Sequence, residues 1–203
     1  MTKLKKINVV IIVIGLIINT IFTIMTLINK YNGNIFVCFS FYLMLFIPAI
    51  INKVFKINIS TSVKFIFLTF IFVAQLLGSI AHFYMLITWF DSFTHFVSGI
   101  LTVLFALQLL TLFNKYDQDD KVFNIIFTIA FTFMVASFWE VFEFLADSIF
   151  GRDAQNVLKT GVTDTMKDII CAFLGGIVCL VYYSYDIGSS KSKLKKFIYS
   201  IKK

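Results

Sequence analysis

Six runs of apolar residues, parted by short polar segments, make up most of the 203-residue chain. They cover 7–28, 35–51, 65–87, 92–113, 122–150 and 165–185. A helix of about 20 apolar residues crosses the hydrocarbon of a bilayer, and each run approaches or exceeds that length. The pattern predicts an all-α, polytopic integral membrane protein with six transmembrane helices. The first run follows Lys3, Lys5 and Lys6, as a secretory signal would. It is longer than the roughly 15 residues of a signal's apolar core, and no small-x-small cleavage site follows, so it reads as a retained anchor.

Composition agrees. The chain is 59% hydrophobic and 14% charged, whereas a soluble domain carries about 25% charged residues. The expected organisation is one six-helix membrane domain over 1–188, with its site-bearing part at about 79–180, and a tail over 189–203. Cytoplasmic loops hold the excess of lysine and arginine. With the N-terminus inside, fourteen cations lie inside and four outside (Lys30, Arg152, Lys159 and Lys167). Both termini are therefore expected to be cytoplasmic, in a multi-pass protein of a bacterial cytoplasmic (inner) membrane.

The net charge of +7 follows from this topology. Its cations are spread among loops and tail rather than gathered on one folded face, so no nucleic acid is expected as a partner. Within the tail, Leu194, Phe197, Ile198 and Ile201 recur at helical spacing amid lysines. That pattern predicts a basic amphipathic segment on the anionic inner leaflet. Cys38, Cys171 and Cys179 form no Cys-x-x-Cys pair and read as small apolar residues.

Polar residues inside the runs carry the remaining information. Asn19 has a packing role, and Pro48 frees the carbonyl of Met44, so a kink is expected there. In the third run Gln75, Ser79 and His82 make a polar stripe. The fourth opens with Asp91, His95 and Gly99, each one turn from the next. Asp117, Asp119 and Asp120 lack the glycine and distant glutamate of a calcium loop and read as a solvated turn. The fifth run ends with Glu140, Glu143 and Asp147 on one face, and Arg152 follows. The sixth begins with Asp164 and Asp168, followed on their face by Ala172, Gly175 and Gly176, a strip suited to close helix packing.

The topology gathers His82, Asp91, His95, Glu140, Glu143, Asp147, Asp164 and Asp168 toward the outer side. There seven acids face four bases, so several carboxylates must bind a cation or carry a proton. Helix bundles build metal sites from such carboxylate and histidine pairs on facing helices. Asp91, His95, Glu140, Glu143, Asp164 and Asp168 are the candidate ligands of a divalent metal ion, with His82 and Asp147 as secondary candidates. Zinc, manganese, iron, magnesium and calcium stay open. Protonated carboxylates hydrogen-bonded between helices are the structural alternative.

Three segments resemble the YjdF-like bacterial inner-membrane proteins: Asp91-Ser-Phe-Thr-His95-Phe-Val-Ser-Gly99, Ser137-Phe-Trp-Glu140-Val-Phe-Glu143, and Thr163-Asp164-Thr-Met-Lys-Asp168 ahead of Gly175-Gly176. The match keeps order and spacing over about the last 120 residues. Gly161 stands where that family often has a further acid. More distantly, Asp91-x-x-x-His95-Phe, Gly151-Arg152 and the acids before the glycines are similar to VanZ-like proteins, with a longer spacing from Arg152 to Asp164. Both resemblances imply a bacterial envelope protein, and neither supplies a reaction.

The expected function is metal-dependent hydrolysis or transfer on a lipid or envelope-linked substrate. A metal-activated water would attack, one glutamate (Glu140 or Glu143) would act as general base, and Arg152 would steady an anionic group. A proton- or cation-coupled small transporter and a non-enzymatic envelope or immunity protein are the alternatives.

Overall fold

The computed structural model describes residues 2–30, 34–151, 153–189 and 192–201. Its main helices are α1 (Lys3–Leu27), α2 (Ile35–Val54), α3 (Thr61–Ile71), α4 (Phe83–Leu86), α5 (Phe90–Leu112), α6 (Lys121–Phe150), α7 (Val157–Thr160), α8 (Thr163–Asp186) and α9 (Lys193–Ile198). A π-helical stretch, Phe72–Ile80, extends α3 without a break. Six stretches are long and apolar enough to cross a membrane: α1, α2, α3 with its π extension, α5, α6 and α8. The chain is a multi-pass membrane protein.

The third crossing departs from its expected limits. It starts at Thr61, capped by the Ser60 hydroxyl, and stops at Ile80 rather than continuing to residue 87. His82 then adopts a left-handed backbone, with φ of 61°. Gly78 leaves room for the Tyr84 ring, which a Cβ there would strike. The π-type i→i+5 bonding also upsets the α-period that aligned Gln75, Ser79 and His82. Gln75 instead reaches α2 through the Ser40 hydroxyl, and His82 lies outside the helix.

The chain divides into two compact units, Asp91–Tyr199 and the remainder. In the first-numbered unit, Cys38, Phe41, Leu45, Leu68, Ile71, Leu76 and Ile80 form the core. Polar side chains tie its helices together: Asn19 Nδ2 donates to the Cys38 carbonyl at 2.9 Å, and Asn8 Nδ2 to that of Thr61 at 3.0 Å.

The other unit is built on a close approach of α5 and α8. A Cβ on Gly99 would collide with the Ala172 carbonyl, and one on Gly175 with the Phe96 carbonyl. Contacts advance together along both helices. His95 faces Asp168, Gly99 faces Ala172, and Val103 faces Gly176, so α5 and α8 run parallel. α6 runs antiparallel to α8: Asn124 bonds Tyr183 near one end and Thr132 lies against Gly176 midway. Its buried face is Asn124, Thr128, Thr132, Ala136 and Glu140, one residue per turn. The two threonine hydroxyls bond carbonyls of their own helix. Asp120 in the acidic turn caps α6, accepting from Phe123 N.

The tail departs from its expected place. Leu194 and Ile198 of α9 are buried in the core formed by Val103, Leu107, Cys179, Leu180, Tyr183 and Ile187. The Asp186 carboxylate anchors the turn, accepting from Leu194 N and Ser192 Oγ, and Gln108 donates to the Phe197 carbonyl. Leu194 and Ile198 thus cover the bundle's own end, while Lys193, Lys195 and Lys196 stay exposed.

Alanine at Gly99 or Gly175 should push α5 and α8 apart and cost about 2–3 kcal/mol. Alanine at Gly176, whose methyl would lie 3.4 Å from Thr132 and Val103 side chains, should be tolerated. Unfolding midpoints in detergent will separate the two cases, and equal midpoints for Gly99→Ala and Gly176→Ala would refute the close approach.

Candidate metal centre

The α5–α8 contact decides which acidic side chains meet. Asp91 and His95 are one turn apart on α5 and share a face. The glycines one and two turns further along bring α8 near enough for Asp168 to reach the same point. His95 Nε2 lies 3.5 Å from Asp91 Oδ1 and 3.9 Å from Asp168 Oδ2. One ligand atom from each of the three residues lies within 4.8 Å of the others. The Asp168 side chain is 5% exposed and that of Asp91 26%, so the cluster is closed toward α8 and open beside Asp91.

Two oxygens in this region lack a hydrogen-bond partner among the described residues: Asp168 Oδ1 and Glu140 Oε1. Glu140 is buried at 5% exposure, one turn beyond Ala136 on the packed face of α6. Its other oxygen accepts from Gln155 Nε2 at 3.4 Å. That same amide donates to the Glu140 carbonyl at 3.1 Å and to Thr165 Oγ1 at 3.2 Å. Gln155 therefore links α6 to the first turn of α8. Asp91, Glu140, Asp164 and Asp168 act on one another electrostatically, and Lys167 is the cation that bears on Asp91 and Asp168.

The other candidates take different positions. Asp164 accepts from Asn156 Nδ2 at 2.7 Å. Asp147 holds the following loop, accepting from Ala154 N at 2.8 Å and Gln155 N at 3.1 Å. Glu143 is bonded to the Trp139 indole N–H at 2.9 Å on the exposed side of α6. His82 belongs to the other unit. Arg152 lies outside the described residues. Of the six ligands expected from sequence, Asp91, His95 and Asp168 are the ones whose ligand atoms come together.

Gln155 and Asn156 are additions that the sequence did not suggest. They sit in a loop with no periodicity, where a lone amide carries no signal of what it will face. Asp147, four residues past Glu143, shares its helix face by periodicity. Its role is to bend the loop that delivers Gln155.

Two oxygens and one imidazole nitrogen suit a first-row divalent ion, and three protein ligands leave positions for water. Two ligands each about 2.1 Å from a tetrahedral ion are about 3.4 Å apart. The His95–Asp91 and His95–Asp168 separations are near that value. They exceed the roughly 2.7–2.9 Å of a direct charge-assisted hydrogen bond. The residues fit a metal.

The model of the family described as "Predicted membrane protein (DUF2238)" matches residues 10–187, and the chain belongs to that family. An "Uncharacterized protein" of Thermotoga maritima is 27% identical over 137 residues, covering 68% of this chain and 69% of that one. No solved structure matches.

Replacing Gln155 by leucine leaves the Glu140 carboxylate buried without its donor, at a cost of about 1–3 kcal/mol. In a Glu140→Leu background the same change should cost far less. A double-mutant cycle on unfolding free energies checks the coupling, and additive effects would contradict the contact.

Proposed function

We propose that this DUF2238 membrane protein binds a divalent metal ion through Asp91, His95 and Asp168, and uses it to hydrolyse or transfer a group on a lipid or envelope-linked substrate. The observation that carries the reading is the spacing of the three ligand atoms, within 4.8 Å, together with the buried oxygens Asp168 Oδ1 and Glu140 Oε1, which have no partner among the described residues. An uncompensated carboxylate inside apolar helices costs several kcal/mol, and a cation removes that cost for Asp91 and Asp168 together. When bound, the metal supplies Lewis acidity and lowers the pKa of a water ligand. Glu140, buried and with Oε1 free of other donors, takes up the proton released. Gln155 keeps its other oxygen fixed. Arg152, which follows α6 in the sequence, steadies an anionic group of the substrate.

The lysine and arginine count orients this end of the bundle toward the outside. The substrate is then an ester, phosphoester or amide at the outer leaflet, reaching the ion from the side of Asp91. The bacterial inner membrane is the proposed location.

Purified full-length protein should hold about one zinc or manganese ion per chain by elemental analysis. Asp91→Asn, His95→Ala and Asp168→Asn should each weaken binding at least about tenfold, and Glu143→Gln should not. Because the imidazole and both carboxylates must be deprotonated to ligate, occupancy should fall as the medium is acidified. Equal, negligible metal in wild type and Asp168→Asn would sink the proposal.

A further inference from the structure

We infer that Trp139, Phe142 and Glu143, on the exposed side of α6, bind the primary-ammonium headgroup of an ethanolamine phospholipid in the leaflet next to the acidic end of the bundle. This patch is separate from the metal ligands and does not rest on the metal reading.

Glu143 is unusual for its surroundings. It is flanked by Trp139, Phe142 and Phe144, all exposed, on a helix that crosses the membrane. The surface of α6 here is therefore a lipid-facing one carrying a carboxylate. One oxygen accepts from the Trp139 indole, and no lysine, arginine or histidine pairs with it among the described residues. The charged groups that bear on it are the carboxylates of Glu140, Asp91 and Asp147. None of the described residues supplies a countercharge, and a cation from the lipid would hold the carboxylate ionised.

Depth and the neighbouring rings suit a lipid ammonium as that cation. α6 has 30 residues and is about 45 Å long at 1.5 Å per residue, against about 30 Å of hydrocarbon. Counted from Lys121 at one boundary, about 20 residues reach Val141. Glu143 therefore lies within a turn of the opposite boundary, where headgroups begin and tryptophan is favoured. The rings of Trp139 and Phe142 lie 5.6 Å apart, tilted by 37°. Beside them the carboxylate leaves one oxygen for a donor. Aromatic faces attract a cation, and a carboxylate oxygen additionally wants an N–H. A primary ammonium supplies both, whereas a choline headgroup has no N–H and a glycerol headgroup has no positive charge.

The test is native mass spectrometry of the full chain in detergent with added phosphatidylethanolamine, phosphatidylcholine or phosphatidylglycerol of matched acyl chains. Wild type should retain the ethanolamine lipid at least about fivefold over both others. Glu143→Gln should bring the three to one level, and Trp139→Leu should lower the preference in part. Asp168→Asn should keep the wild-type preference, so loss of metal and loss of lipid selectivity are read independently. Trp139→Phe, which keeps a ring and removes only the N–H that orients Glu143, provides a milder variant if Glu143→Gln does not fold; it too should reduce selectivity. Equal retention of all three lipids by wild type, equal retention of the choline and ethanolamine lipids, or a preference unchanged in the folded Glu143 or Trp139 variants would each overturn the assignment.

Discussion

The backbone contact between α5 and α8 governs the unit that carries the acidic cluster. Neither helix has side-chain bulk at the crossing: Gly99 accommodates the Ala172 carbonyl, and Gly175 that of Phe96. In a bilayer, apolar side chains gain little by leaving lipid for another helix, so association relies on dispersion and backbone proximity at small residues. Once that contact forms in a parallel register, His95 and Asp168 are neighbours by geometry. The small residues and the charged ones belong to a single device.

That device brings carboxylates together at the end of apolar helices. A lone acid in such a position would be expelled to water or held neutral. Three groups converging on one point create a locus where a single cation, as proposed, would compensate two of them. The loop after α6 contributes the rest of the frame, since Asp147 fixes its backbone and Gln155 bridges Glu140 to Thr165. At the opposite end of the same unit, α9 closes the bundle with Leu194 and Ile198, so the unit is polar at one end and capped by apolar residues at the other.

Much of the architecture was legible in the sequence because hydrophobic length is a direct physical requirement of crossing a bilayer. The glycine strip on α8 and the one-turn spacing of Asp91 and His95 were legible for a similar reason: helical periodicity fixes which residues share a face. Other features had no such rule. A continuous apolar run conceals where the backbone turns from α to π and breaks at His82, because the residues on both sides are equally hydrophobic. The tail's stripe was compatible with either lipid or protein as its cover. Composition states that an apolar face will be buried without stating against what, and here core space beside Tyr183 receives Leu194 and Ile198.

The acids of α6 show why residue spacing alone could not separate the candidate site from its surroundings. Glu140 and Glu143 are three residues apart, which puts them about 60° apart around an α-helix; by periodicity they share a face. The packed face of α6 is narrow, however, running one residue per turn from Asn124 to Glu140. Its edge falls between the two acids. Glu140 faces Gln155 and the α8 terminus, while Glu143 turns to the indole of Trp139 on the exposed side. A rotation of about 60° thus assigns chemically identical groups to different solvents, one inside protein and one at the lipid boundary. Which acid faces the loop after α6 and which lies beside exposed aromatic rings follows from that edge, and the edge is set by the helix packing.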